Sequence, residues 1–425
     1  MKRVVFLIFL VIQNQHFLQN DIFYGQLHTA NNSISKKIYP DFQKEVKAFE
    51  VYEINASDIF SHIKKKSQKN NTSFTLKLGD KYNWKLELKE YNLFSDNFRK
   101  VISTDNGKDI SYSKPDIKTY RGYNNNKNQK SVISLGSNWI YGHIIDGEGV
   151  KYFIEPLHLY NKKANTNDYI VYSSNETAND EFKCGQNNIE AISSQNITSK
   201  VSLSVICTES AIAYDQSTKN LNGGTRTTQN LLTSRFNSVS AFFLENFEIE
   251  KKIVEFYEAN LNEITLETSV IPCYENFFPS SCGNGSILES FRQWNESEFT
   301  GFTSNPDAST FFTGRTDVEE YDGYSFIGGI CTNKAYNWVD ATAINLEYRK
   351  VNLWIHEYGH TWGGDHAFST GTSMMSPTIS FSEPMPVIDR TITNIANHKN
   401  SRSCLITGSC NPPLSVNQNT LFDVK

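Results

Sequence analysis

Beyond the first dozen residues the chain has no apolar run long enough to cross a bilayer, which excludes an internal membrane-spanning helix. Neither sign of charge is in excess: 41 Lys and Arg stand against 46 Asp and Glu, and a formal net charge of -5 offers nothing to attract nucleic acid or an anionic membrane. No internal repeat is visible. Apolar material is not scarce, at 38% of 425 residues, which is too much for a disordered chain and enough for two or three domains with proper cores. Cysteine is sparse and odd in number, so in an oxidising compartment seven residues leave one thiol unpaired.

The compartment is read from the start of the chain. Met1-Lys2-Arg3 is followed by an unbroken apolar run from Val4 to Ile12 and then by Gln13-Asn14-Gln15. A basic end and a short apolar stretch have the form of a secretory signal, placed over residues 1–20. Eight Asn-x-Ser/Thr sequons, at Asn31, Asn55, Asn70, Asn71, Asn175, Asn196, Asn284 and Asn295, suit a eukaryotic secreted, extracellular glycoprotein. The expected product is soluble and monomeric, with protein or peptide substrates and with neither nucleic acid nor membrane as a partner.

The chemistry is concentrated in His356 to His366, H-E-Y-G-H-T-W-G-G-D-H, which holds three of the nine histidines. On a helix, His356 and His360 lie four residues apart on one face, so two imidazole nitrogens can meet one ion at about 2.0 to 2.1 Å. Glu357 lies beside that face and can reach the open coordination position without filling it, as a general base must. Gly363 and Gly364 stand where the next helical turn would continue. Glycine ends helices and takes positive φ readily, so the chain can turn after Trp362 and return His366 to the metal. Three neutral His ligands leave one position for water, the open arrangement of a catalytic zinc site. Val351, Trp354, Ile355, Tyr358 and Trp362 form an apolar stripe at helical spacing, to face the core. A lone His on such a face is most often a satisfied core residue; the five fixed positions together arise by chance in roughly one such chain in 10^5.

Along the rest of the chain, residues from about 25 to 195 carry short alternating stretches such as Phe74 to Leu78 and Trp84 to Leu88, which read as a β-rich domain. From Lys200 the texture changes. Val201, Leu203 and Val205 alternate as a strand, Gly223-Gly224 interrupts, and Leu232, Phe236, Val239 and Phe243 mark a helix. Strands are expected at Ile253 to Tyr257, Ile264 to Val270, near Phe311 and at Tyr324 to Ile327, with a helix over Ile287 to Trp294. Strands alternating with helices predict an α/β fold with a mixed sheet covered by helices.

The long motif resembles the metzincin superfamily of zinc proteases. Asp307 to Arg315, Tyr324 to Cys331 and the zinc helix narrow the resemblance to the adamalysin or reprolysin family, which includes ADAM and venom metalloproteases. Thr119 to Tyr123, Ser131 to Leu135 and Tyr152 to Leu157 look like that family's propeptide. The similarity extends over roughly residues 45 to 411. It implies a metzincin-type, mostly parallel sheet with a zinc-binding helix, preceded by a propeptide over 21–197; the protease domain takes 198–411 and a tail 412–425. A methionine turn beneath the metal is implied within Ser373 to Pro377, with Met375 favoured and Met374 left open. Cys184, next to Gly185, is implied as the propeptide thiolate that silences the zinc, which leaves an even six cysteines. Cys331 and Cys404 match positions that the family joins; Cys273 with Cys282 could close a local loop, and Cys207 and Cys410 would remain. Two positions depart from the pattern: Ala367 stands where reprolysins carry Asp, and Pro377 where the astacin branch expects Tyr.

These readings give a secreted zinc metalloendopeptidase made as a zymogen. The zinc ion polarises the scissile carbonyl, Glu357 takes the proton of the attacking water, and peptides lie along an edge strand at Tyr324 to Ile330. The chain stops soon after Cys410, so no adhesive module is expected, a layout similar to a venom toxin metalloproteinase. The other class is a secreted zinc-containing binding protein or toxin component without proteolytic activity.

Overall fold

Alternation along the first half is the pattern of strands with one wet face, and that is how they fold. A computed structural model describes residues 22–28, 42–66, 71–124, 129–177, 181–184, 204–260, 285–297, 300–315, 321–342, 346–366, 373–380 and 386–410. The first eleven strands are β1 (Ile22–Leu27), β2 (Glu50–Ile54), β3 (Asn71–Leu78), β4 (Tyr82–Glu90), β5 (Phe94–Thr104), β6 (Gly107–Ser111), β7 (Ile117–Asn124), β8 (Gln129–Gly136), β9 (Trp139–Ile145), β10 (Lys151–Pro156) and β11 (Asp168–Ser173). Nine of them close a barrel in the order β1-β2-β11-β10-β9-β8-β7-β4-β3, sealed by parallel pairing of β1 with β3. In β4, Tyr82, Trp84, Leu86 and Leu88 point inwards while Asn83, Lys85, Glu87 and Lys89 face water. Helix α1 (Ala56–Lys66) is capped by Asn55, whose side chain accepts from the Asp58 amide at 3.2 Å, and buries Ile59, Phe60 and Ile63 against the barrel.

Strands β5 and β6 leave the barrel. They form an antiparallel hairpin whose β5 pairs parallel with a strand of the second half, β14 (Ile249–Glu258). The second sheet also contains β13 (Ile206–Tyr214), β15 (Ala308–Thr313), β16 (Gly323–Ser325) and β17 (Tyr336–Asp340), in the order β16-β17-β15-β13-β14-β5-β6. Strands β14, β13, β15 and β17 run parallel and β16 is antiparallel at the edge, so the expected mixed, mostly parallel α/β sheet is present. A division after residue 197 follows the chain but not the packing. Phe94, Phe98, Phe153 and Tyr172 share one core with Phe236, Trp354 and Met375.

Helices α2 (Gln216–Asn222), α3 (Thr225–Phe247), α4 (Gly285–Glu296), α5 (Glu347–Thr361) and α6 (Asp389–Asn400) accompany the second sheet. Gly223, at φ +85°, ends α2 and Gly224, at φ +120°, starts α3; these are the interruption read from the sequence. Where the two disagree, the reasons are local. Of the strand expected at Val201, Leu203 and Val205, residues 201–203 lie outside the described residues; β13 begins at Ile206, opposite Ile249 of β14. The edge strand ends at Ser325, because the Gly328 and Ile330 amides turn back to the carbonyls of His360 (2.8 Å) and Thr361 (3.2 Å). Ile264 to Val270 lie outside the described residues, as do Cys273 and Cys282. Disulfides join Cys331 to Cys404 and Cys207 to Cys410, and Cys184 is buried and takes no part in either.

Candidate metal centre

Every residue of α5 is buried, because the helix is covered on both sides. Its apolar stripe meets α3 and the sheet: Trp354 lies 5.2 Å from Phe236 and 4.7 Å from Phe312, and the Tyr358 hydroxyl is 2.5 Å from Ser210 Oγ. Its other side meets the first half of the chain, with Tyr348 stacked on Phe153 of the barrel at 4.7 Å and Arg349 paired to Glu45, in the helical turn Phe42–Glu45, at 3.0 Å.

The histidines leave this helix with their tautomers already set. His356 Nδ1 lies 2.7 Å from the Met374 carbonyl and His360 Nδ1 2.8 Å from the Gly364 carbonyl. A carbonyl only accepts, so in each ring Nδ1 carries the proton and Nε2 presents a lone pair. Burial, with neighbouring imidazoles adding to it, holds His356 well below the usual histidine range and His360 at about 3, so both are neutral donors. Their Nε2 atoms are 3.1 Å apart, and the Cys184 sulfur is 3.4 Å from His360 Nε2. Two lone pairs cannot bond to one another at that distance, but tetrahedral zinc ligands at bonds of 2.0 to 2.1 Å stand about 3.3 Å apart. With His366, the ligand atoms of all four residues fall within 4.8 Å of one another. The residues therefore fit a zinc ion. His356, His360, His366 and Cys184 would hold it.

His366 returns as the glycines allow. Gly363 has φ +85°, and its amide and that of Gly364 bond back to the carbonyls of His360 and Gly359, each at 2.8 Å. A Cβ on Gly364 would stand 2.9 Å from the Gly359 oxygen. Beneath the helix lie both candidate methionines, fully buried: a Cβ on Gly359 would meet Met374 Cε and Met375 Sδ, each at 2.5 Å. Met375 also reaches the Gly364 turn, while Met374 supplies the carbonyl that orients His356. The turn thus uses both residues.

Glu357 is completely buried, and desolvation pushes its carboxyl well above the usual carboxylate range, opposed by the Cys184 thiol beside it. Gly323, at the start of the edge strand, is what gives it room: a Cβ there would lie 2.7 Å from Glu357 Oε1. Sequence reasoning missed Gly323, which is far along the chain from the motif; the Gly-Tyr-Ser start of an edge strand was the available signal.

Cys184 arrives on a short strand of its own. Residues Glu181–Lys183 (β12) pair antiparallel with Thr378–Ser380 (β18), and Cys184 forms a parallel bridge with Gly323. The segment therefore spans the cleft from the wall after the methionine turn to the edge strand. Among the sequons, Asn55 and Asn175 are exposed, but Asn55 is engaged in capping α1. Asn295 is half-buried and donates to the Tyr336 hydroxyl at 2.6 Å, so a glycan on that nitrogen would have to displace a core contact. Asn71 starts β3, and Asn31, Asn70, Asn196 and Asn284, like Ala367, lie outside the described residues.

No curated protein matches the sequence. Among solved structures, the crystal structure of metalloproteinase-II from Bacteroides fragilis is similar at 13% identity and a TM-score of 0.41, covering 79% of this chain and 94% of that one. The family model for metallo-peptidase family M12 matches residues 198–411, just over half of the chain, including His356, His360 and His366. The chain belongs to metallo-peptidase family M12.

Proposed function

We propose that the chain is a secreted zinc endopeptidase held latent by its own first half. The observation that carries this reading is the position of Cys184: its sulfur completes the histidine cluster while its strand fills the cleft between β16 and β18. An extended peptide substrate would pair with the same two walls. When bound, zinc supplies a Lewis acid that polarises the scissile carbonyl and acidifies water. Glu357 takes the proton of the attacking water and returns it to the departing amine. Removal of residues 181–184 admits solvent to Glu357, relieves its desolvation and restores the ionised form that a base requires. The apolar start and the sequons support export and glycosylation, and membership of a metallo-peptidase family supports protein or peptide substrates. A venom-type setting, which the family resemblance suggests, is retained as part of this proposal.

The test is cleavage of an unfolded protein substrate by the full chain, by the Cys184→Ser variant and by the Cys184→Ser variant cut between residues 185 and 203, each with and without a chelator. Chelator-sensitive cleavage by the last two is expected. Its absence from both would favour a zinc-containing binding protein.

A further inference from the structure

The open sheet has two edges, and the first half of the chain covers both. We propose that the outer edge of β14 is a strand-binding surface whose partner is the β5–β6 hairpin, and that this pairing keeps the first half attached after the connection at 185–203 is cut. The inference rests on the latent-protease reading and adds a second, site-remote attachment to it: the processed enzyme is a two-chain particle.

The hairpin is built into the sheet. Phe94 faces Ile253, and Arg99 to Ile102 face Glu255 to Glu258, with the Ile253 amide donating to Leu93 at 2.8 Å. Phe94 and Phe98 pack on Phe256, ring centroids 6.4 and 5.9 Å away, and Val101 is fully buried in the cluster of Tyr257 and Phe291. Side chains clamp the ladder from both strands. Arg99 donates to the Thr303 carbonyl at 2.9 Å, and Lys108 donates to the Gly301 carbonyl at 2.9 Å with its ammonium 5.5 Å from the Tyr257 ring. The Tyr91 hydroxyl donates to Glu250 at 2.9 Å, and Ser95 bonds the Glu209 carboxylate.

None of these residues belongs to the metal cluster, which is approached from the opposite edge, β16. A cut between residues 184 and 204 severs neither attachment, and losing the Cys184 sulfur releases only one. Stripping the hairpin away would leave the β14 backbone edge and the rings of Phe256 and Tyr257 uncovered. The two attachments are joined through the barrel, so each raises the effective concentration of the other.

A site for a specific protease, placed between residues 185 and 203 of the full chain, tests this. After cutting, gel filtration on dilution and amide exchange of Ile253 to Glu258 are compared with the uncut chain. The fragments should co-elute and these amides should stay protected. Arg99→Ala with Lys108→Ala should raise the concentration at which the cut fragments separate about tenfold, equivalent to about 1.4 kcal/mol. Glu45→Ala, on the first half's contact with Arg349, should leave the β14 amides protected. If the double variant does not fold before cutting, Lys108→Ala alone is used, since it lies outside the β5–β14 ladder. Separation of the wild-type fragments with loss of β14 protection would overturn the proposal, as would hairpin variants that separate no more readily than wild type. Protease activity is scored apart: no chelator-sensitive cleavage even with Cys184→Ser would sink the latency reading and leave co-elution still to decide this one.

Discussion

The barrel and the open sheet solve one problem in opposite ways. The barrel closes β1 on β3 and presents no edge, whereas the open sheet has two edges and takes cover from the other half of the chain, β5 on one side and Cys184 on the other. Closure makes the barrel self-sufficient. Openness makes the second sheet dependent, and a cleft at β16 that can be uncovered is what a peptidase needs. A regular edge-free fold could not offer a substrate a strand to pair with.

The largest expected effect sharpens this contrast at the β16 edge. Glu357→Gln should lower cleavage by on the order of 10²- to 10⁴-fold, the span of a general base, with zinc content measured by metal analysis unchanged. Retained proteolysis would remove Glu357 from the role. The next test compares the two cores. Leu86→Ala in the barrel and Phe98→Ala in the hairpin should each destabilise by roughly 2 to 5 kcal/mol in denaturant titration. Only Phe98→Ala should also reduce chelator-sensitive cleavage in the Cys184→Ser background, because Phe98 shares a core with Trp354 and Met375 while Leu86 lies in the separate barrel cluster. Equal losses of activity would dissolve the distinction between the regions. Cys184→Ser comes third, with cleavage by the uncut chain rising about tenfold, as expected from losing roughly 1.4 kcal/mol of competition at the metal.

The smallest effect is in pH dependence, where the two regions should slope in opposite directions. Glu155, on the outer face of the barrel, is pushed up to about 8, first by burial and then by Glu347, against hydrogen bonds from Tyr160 and Tyr172. Folded protein keeps that proton while unfolded chain has lost it, so its contribution is full below the ordinary carboxyl pKa and fades as pH rises to about 8. Lys251, in β14, is held well below the usual lysine range by burial. There the unfolded chain binds the extra proton, and stability grows as pH rises towards the ordinary lysine value. Denaturation midpoints between pH 5 and 10 should therefore lose a falling component in Glu155→Gln and a rising one in Lys251→Met, each at most about 1.4 kcal/mol per pH unit. Unchanged slopes in both variants would refute these assignments.

The same contrast explains what could be read from the sequence. β4 alternates because one face meets water, so its register was visible residue by residue. β14 was not legible as a core strand in the same way. Its Glu250, Lys251, Lys252, Glu255 and Glu258 look like a wet face, yet all are buried. Each of three carboxylates finds donors: Glu250 from Tyr91 and the Cys410 amide, Glu255 from Thr303 and Ser304, Glu258 from Tyr214. The Lys251 amine packs against the rings of Tyr358 and Phe243, at 3.8 and 4.4 Å from their centroids. Such partners are distant in sequence and leave no local trace. The histidine motif was legible because its three histidines and Glu357 share one helix and one glycine turn. Gly323 and the exported hairpin were not, since each acts on a strand far along the chain.

The exported hairpin also bears on the order of events during synthesis. The nine barrel strands all precede residue 174, so the barrel can close while the protease half is still unmade, with β5 and β6 left over. Val101 must then wait for Tyr257 to emerge, on the order of ten seconds at ordinary rates of translation. The waiting hairpin offers the nascent second half a ready-formed edge on which parallel pairing, the slow step of a non-local topology, can begin. A protease half unfolded apart from it has to find that starting point unaided, so its persistence after separation would be governed by its rate of unfolding.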